Sequence, residues 1–211
     1  MRDEVLNKAS TCSFNYMDYL HPQEGTIWTT KSYDFLPNYR IKHAIVDILK
    51  PARIFEIGVR AGYSAAAFIS TGWVKEYVGL DLNLPFKNGI SKVYDAPLHA
   101  QKTLRERFPE TSIDVHIGDS RDENVKNMLR NSYKGYFDFI HVDGNHYYNG
   151  CKNDLYFALE LIKKDGVILV DDYTYEKGVE GACAMILQTN PGYQGEFIPS
   201  YRGEFILSKK K

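Results

Sequence analysis

Arg53-Ile-Phe-Glu-Ile-Gly-Val-Arg-Ala-Gly-Tyr-Ser64 is the stretch whose reading decides the fold. It opens as a short apolar run, Ile54-Phe55-Glu56-Ile57, and turns through Gly58 and Gly62. It then enters Ser64-Ala-Ala-Ala-Phe-Ile69, which favours helix. A buried strand, a glycine turn and a helix N-terminus together leave free N–H groups pointing at one place, where a cofactor can sit. Dinucleotide sites use G-x-G-x-x-G, whose second glycine lets the backbone close on a pyrophosphate. Arg60 stands at that position and blocks the contact. The pattern is instead Glu56-x-Gly58-x-x-x-Gly62-x-Ser64. A carboxylate just before the first glycine repels a pyrophosphate and suits a ligand carrying an ammonium and a sulfonium.

These residues resemble motif I of the class I methyltransferases that bind S-adenosyl-L-methionine (SAM). The resemblance implies that Glu56, Gly58, Gly62, Tyr63 and Ser64 contact the cofactor. Glu76-Tyr-Val-Gly-Leu-Asp-Leu82 reads as the second strand. Asp81 at its end is placed to accept ribose hydroxyls, with Leu82 beside it. Ser112–Ile117 alternates like a third strand and runs into Gly118-Asp119-Ser120. Asp119 either accepts from an adenine amino group or caps the following helix, and Ser120 is the expected cap.

Outward from this core the order strand, helix, strand, helix persists. Helices are expected at Ile41–Leu49 (stopped by Pro51), Gly62–Ser70, Ala96–Phe108, Arg121–Arg130, Cys151–Ile162 and Gly178–Leu187. Tyr136–Val142 and Val167–Val170 give the fourth and fifth strands, with Lys163–Gly166 as a turn before the latter. Gly195–Pro199 and Glu204–Ser208 read as a hairpin that adds an antiparallel edge. The fold class is therefore α/β: a doubly wound, mostly parallel, Rossmann-like sheet of seven strands with an antiparallel C-terminal edge hairpin. One domain over 1–211 is expected, with 1–36 as an irregular or partly helical N-terminal cap and 37–211 as the core. The cap contains His21-Pro22 and Gly25-Thr26-Ile27-Trp28.

Composition narrows the function. Hydrophobic residues make up 44% and charged residues 25%, as in ordinary globular proteins. A net charge of −1 provides no global field for nucleic acid or an anionic membrane, so neither is an expected partner. No apolar run approaches the ~20 residues of a membrane span. Acids stand in Met-Arg-Asp-Glu-Val where a signal peptide needs an apolar core, and Cys12, Cys151 and Cys183 lie outside any CxxC. Both features suit the cytoplasm.

Glu56, Asp81, Asp119, Asp143, Asp171 and Asp172 all fall at strand ends, the rim where ligands bind in open α/β sheets. Carboxylates gathered there require cations. If the fourth and fifth strands are neighbours, their ends lie ~5 Å apart. Asp143, Asp171 and Asp172 then converge on a hard divalent ion: Mg²⁺, or Mn²⁺ or Ca²⁺. His146 follows Asp143 by three residues. With an unperturbed pKa of about 6.5 it can serve as a neutral base, though a hydrogen-bonded loop histidine or an adenine contact is the alternative. His141 alternates with buried residues and reads as structural.

Asp143-Gly144-Asn145-His146-Tyr147-Tyr148 with Asp171-Asp172 is similar to the small metal-dependent O-methyltransferases. These are the catechol-type enzymes and the group that includes macrocin-type sugar O-methyltransferases and cephalosporin-hydroxylase-like proteins. The resemblance spans roughly residues 50–208 and maps the family's metal ligands onto Asp143, Asp171 and Asp172, with Asp143 and His146 as the catalytic residues. Catechol-type enzymes commonly carry Lys where His146 stands and Asn where Asp172 stands, which shifts the expected acceptor toward a sugar or polyol. The resulting expectation is a SAM-dependent, metal-assisted O-methyltransferase of a small hydroxylated molecule, with homo-oligomerisation left open. A metal-independent methyltransferase of a macromolecule and a non-catalytic SAM-binding module are the competing readings.

Overall fold

The computed structural model describes residues 1–19, 21, 32–88 and 91–210. The cap positions Pro22 and Gly25–Trp28, and Gly89 of the expected Asn88-Gly89 loop, lie outside these. The chain runs α1 (Arg2–Ser10), a 3₁₀ turn (Tyr16–Tyr19), α2 (Ser32–Leu49), β1 (Arg53–Ile57), α3 (Tyr63–Ile69) and β2 (Glu76–Asp81). A small hairpin follows, β3 (Phe86–Asn88) and β4 (Ser91–Val93), then α4 (Ala96–Arg107), β5 (Ser112–Ile117), α5 (Glu123–Tyr133) and β6 (Phe137–Val142). The rest is α6 (Tyr148–Leu161), β7 (Ile162–Val170), α7 (Lys177–Thr189), β8 (Tyr193–Ile198) and β9 (Glu204–Lys209).

Seven strands form one sheet in the order β5-β2-β1-β6-β7-β9-β8. The first five are mutually parallel, while β9 pairs antiparallel with both β7 and β8. This is the expected doubly wound sheet with its antiparallel edge. Strand order reverses between β1 and β6, and that reversal opens the crevice where such sheets bind ligands.

Side chains alternate across each strand, so each strand feeds two cores. Ile54, Tyr77 and Leu169 join the core under α1 to α4, while Phe55, Ile57, Val78 and Val170 join the core under α5 to α7. All seven residues of α3 are buried, because its Ala-Ala-Ala-Phe-Ile run is wedged between sheet and cap.

Beyond shifts of a residue or a few at element ends, three departures from the sequence reading have a physical cause. First, α2 begins at Ser32 rather than Ile41 and runs through Pro37, whose missing N–H costs one helical bond without stopping the chain. Second, Lys163–Gly166 is not a separate turn. It belongs to β7, where the register jumps from Phe137–Ile162 to Phe139–Val167 and the extra residues bulge opposite Asp138. Third, α5 starts at Glu123 because Asp122, not Ser120, is its cap and accepts from Asn124 N at 2.8 Å.

Candidate active site

A cavity of about 500 Å³ lies at the C-terminal ends of β1, β2, β5, β6 and β7. Gly58 makes it possible. Its φ is +94°, and a Cβ there would lie 2.0 Å from the Asp143 carbonyl oxygen, so only glycine lets the ends of β1 and β6 pass this closely. Gly62 serves packing: its Cβ would meet Ala100 Cβ of α4 at 2.7 Å.

Of the expected cofactor residues, Gly58, Asp81, Leu82, Asp119 and Ser120 line the cavity. Asp81 is oriented by the backbone, accepting from Arg60 N at 2.8 Å and Asn83 N at 2.7 Å. Asp119 is braced by Arg121, whose hydrogen bonds hold its carboxyl below the usual range. Ser120 donates to Asp154 at 2.6 Å rather than capping a helix.

Glu56, Gly62, Tyr63 and Ser64 do not line the cavity. Glu56 faces α3, as Ile54 does two residues earlier, and is fully buried. Its carboxylate accepts from Ser64 Oγ and Tyr77 OH and lies 2.7 Å from His141 Nδ1. A carboxylate without water needs such a set of partners, and here the protein supplies them itself. His141 is structural as expected. Burial opposes its charge, but Glu56 outweighs burial and raises its pKa. Tyr63 ties the cap to α3, accepting from His21 N at 3.0 Å.

The other end of the cavity gathers Asp143, His146, Asp171, Arg202 and Asn38. His146 Nε2 lies 3.3 Å from Asp143 Oδ1 and 3.4 Å from Asp172 Oδ2. The Asp143 hydrogen bond outweighs burial and lifts its pKa to about 9. The expected neutral imidazole is therefore an imidazolium at pH 7 in this arrangement. Burial, then the neighbouring acids, raises Asp143 and brings Asp172 to about 6.

Two cations that the sequence reading did not single out answer the remaining charge. Lys42 of α2 lies 3.1 Å from Asp171 and also bonds Glu204, with both Lys42 and Glu204 fully buried. Arg202, in the turn between β8 and β9, donates from Nη1 to both oxygens of Asp172 at 3.1 and 3.0 Å. Lys42 was masked by the apolar periodicity of its helix and Arg202 by its hairpin turn. The one signal available was the excess of acids at the rim, which demanded cations from somewhere.

The donor chemistry fits a divalent ion, with a changed ligand set. Among the described residues, two groups bring their donor atoms within 4.8 Å of one another: Asp143, His146 and Asp172, and separately His141, Asp143 and Asp171. Asp143 belongs to both, but Asp171 and Asp172 do not share a group. Asp171 spends Oδ2 on Lys42 and Oδ1 on Asp172 N. Asp143 and Asp172 carry the oxygens of the first group that suit a hard cation, although both oxygens of Asp172 also accept from Arg202 Nη1.

Residues 55–173 match the family described as methyltransferase domain. Comparison with curated proteins yields no match. Among solved structures, the O-methyltransferase TomG from Streptomyces achromogenes, involved in tomaymycin synthesis and solved with SAM, is 18% identical with a TM-score of 0.65. That match covers 100% of this chain and 92% of TomG. The O-methyltransferase from Bacillus cereus in complex with SAH is 17% identical, TM-score 0.62, over 92% of this chain and 94% of that one. SAH-bound PaMTH1 from Podospora anserina is 18% identical, TM-score 0.64, over 99% and 87%. At these identities the likeness shows the fold.

Proposed function

This chain belongs to the methyltransferase-domain family, and from that premise we propose that it transfers a methyl group from SAM to a hydroxyl of a small molecule: a sugar, polyol or phenolic. A divalent cation, Mg²⁺ or else Mn²⁺ or Ca²⁺, assists. The observation that carries the reading is His146 standing between Asp143 and Asp172 in the same cavity as Asp81 and the Gly58 crossing. Asp81 takes the ribose hydroxyls, with Leu82, Asp119 and Ser120 around the base. The two oxygens of Asp81 already accept backbone N–H groups and so are held ready for a ligand.

Methyl transfer from a sulfonium is an in-line displacement on an activated donor, so alignment and proton removal are what the chain must supply. When bound, the cation lowers the pKa of the acceptor hydroxyl and fixes its direction; Asp143 and Asp172 would hold it. His146 is the base. It must first lose to solvent the proton that the two carboxylates hold on it, its side chain being 37% exposed, and it then accepts one from the acceptor hydroxyl. The near-neutral net charge and three free thiols support a small-molecule enzyme of the cytoplasm.

The test is formation of S-adenosylhomocysteine from SAM with a library of hydroxylated compounds and Mg²⁺. Turnover is expected with a sugar, polyol or phenolic, to be suppressed by EDTA, and to vanish in Asp143→Ala while SAM still binds. Full turnover in EDTA would remove the metal from the reading. SAM binding without product from any acceptor would leave only a binding module.

A further inference from the structure

Asp172 is held unusually for a strand-end acid. Its φ is +61°, its side chain is 1% exposed, and both its oxygens are occupied by one nitrogen of Arg202. A non-glycine residue in this region persists only when its surroundings impose it.

Arg202 is fixed just as firmly. Its carbonyl accepts from Thr174 N, Tyr175 N and Thr174 Oγ1 at 3.0, 3.2 and 2.9 Å, and Gly203 O accepts from Tyr173 N at 2.9 Å. The β8–β9 turn is thereby stitched to the loop that follows Asp172. The guanidinium carbon lies 4.8 Å from the Tyr175 ring centroid and 5.7 Å from that of Phe35, so aromatic rings flank the charge. Its Nε is buried without a partner, which leaves the Nη1–Asp172 contact as the polar anchor of the group.

Asp143 and Asp171 line the cavity and Asp172, which does not, adjoins them; the three acids pair with His146, Lys42 and Arg202, so they are already answered within the chain. Resting on the reading above, we propose that Arg202 is a built-in counter-ion that holds at Asp172 the place a divalent cation would take. Guanidinium and ion then compete for one carboxylate, and Arg202 sets the ion's affinity low. A guanidinium does not deprotonate, so the competition persists at any working pH. An ion that reaches Asp143 must also sit close to a fixed positive charge or displace it.

The experiment is Mn²⁺ titration followed by the electron paramagnetic resonance of free Mn²⁺, without SAM or acceptor. Wild type, Arg202→Gln, Arg202→Lys and the double variant Arg202→Gln/Asp172→Asn are compared. Arg202→Gln is expected to bind Mn²⁺ roughly 10- to 100-fold more tightly than wild type, the size of a lost charge-assisted hydrogen bond. Arg202→Lys, which keeps the charge, stays close to wild type, and adding Asp172→Asn to Arg202→Gln cancels the gain. S-adenosylhomocysteine affinity and the melting temperature confirm that each variant is folded, and Arg202→Met replaces Arg202→Gln should that variant fail to fold. Measurable wild-type binding that is unchanged or weaker in Arg202→Gln overturns the competition and leaves the metal reading standing. Absence of Mn²⁺ binding in both overturns the competition and the metal reading together.

Discussion

Lys42 Nζ lies 3.1 Å from Asp171 Oδ2 and also bonds Glu204, joining the middle of α2 to the ends of β7 and β9 with no lysine surface exposed. Burial opposes the lysine charge, but Asp171 and Glu204 outweigh it and raise the pKa. Burial likewise works against ionised Asp171, yet Lys42 holds that carboxyl low, while burial and then Asp171 push Glu204 up to about 8. A helix outside the repeating strand-helix pattern thus supplies the charge that lets acids gather at the cavity floor.

Lys42→Ala should cost ~3–5 kcal/mol, since it leaves buried acid without its partner. Lys42→Met/Glu204→Met should recover little of that loss, because Asp171 stays buried without its cation. Urea denaturation reads both. An Ala variant as stable as wild type would show the pair to be incidental.

Asp81→Ala should weaken S-adenosylhomocysteine binding roughly 10- to 100-fold, the worth of hydrogen bonds to a charged group. Isothermal titration measures it. Undiminished affinity would mean that the ribose is held elsewhere.

Asp138 accepts from Ala52 N at 3.0 Å and Arg53 N at 2.8 Å and pairs with Lys163 and Arg53, fastening the start of β1 to β6. Burial opposes its charge, but Lys163 and Arg53 outweigh it and its pKa is lowered. A lowered carboxyl adds stability above its unfolded pKa of about 3.9 and loses it as pH falls through the lower folded value. Asp138→Asn should therefore cost ~1–3 kcal/mol at pH 6, and the gap to wild type should narrow progressively as pH falls below about 4. Urea midpoints at pH 6 and pH 3 test this, and a gap that widens in acid would contradict it.

Cys151 and Cys183 are buried, and burial raises both thiols, Cys183 to about 12. Thiolate is the reactive form. In the folded protein at pH 8 only Cys12 should react readily with a disulfide reagent, and in urea all three should. Rapid labelling of Cys151 in the folded state, located by mass spectrometry, is the contrary result.

The architecture was legible in local pattern. Ile54–Ile57, Ser112–Ile117 and the run through Val167–Val170 read as strands because buried parallel strands are short apolar runs bounded by turns. The acids at their ends marked the ligand rim before any coordinates, since in such a sheet the carboxyl ends of all parallel strands share one edge. The boundaries that failed were those where context overrules a residue's habit. Pro37 sits inside a helix, and Lys163–Gly166 is drawn into β7 by pairing with β6.

What the chain order determined alone was which residues lie at that edge: Gly58, Asp81, Asp119, Asp143, Asp171 and Asp172. What only tertiary structure decided was where their charges go. Alternation turned Glu56 away from the cavity to Ser64, Tyr77 and His141. Lys42 and Arg202, 160 positions apart in sequence, arrived from α2 and the β8–β9 turn to meet Asp171 and Asp172. Periodicity reports which side of its own element a residue occupies. Electrostatic pairing depends on distances of a few ångströms between elements, which only packing sets.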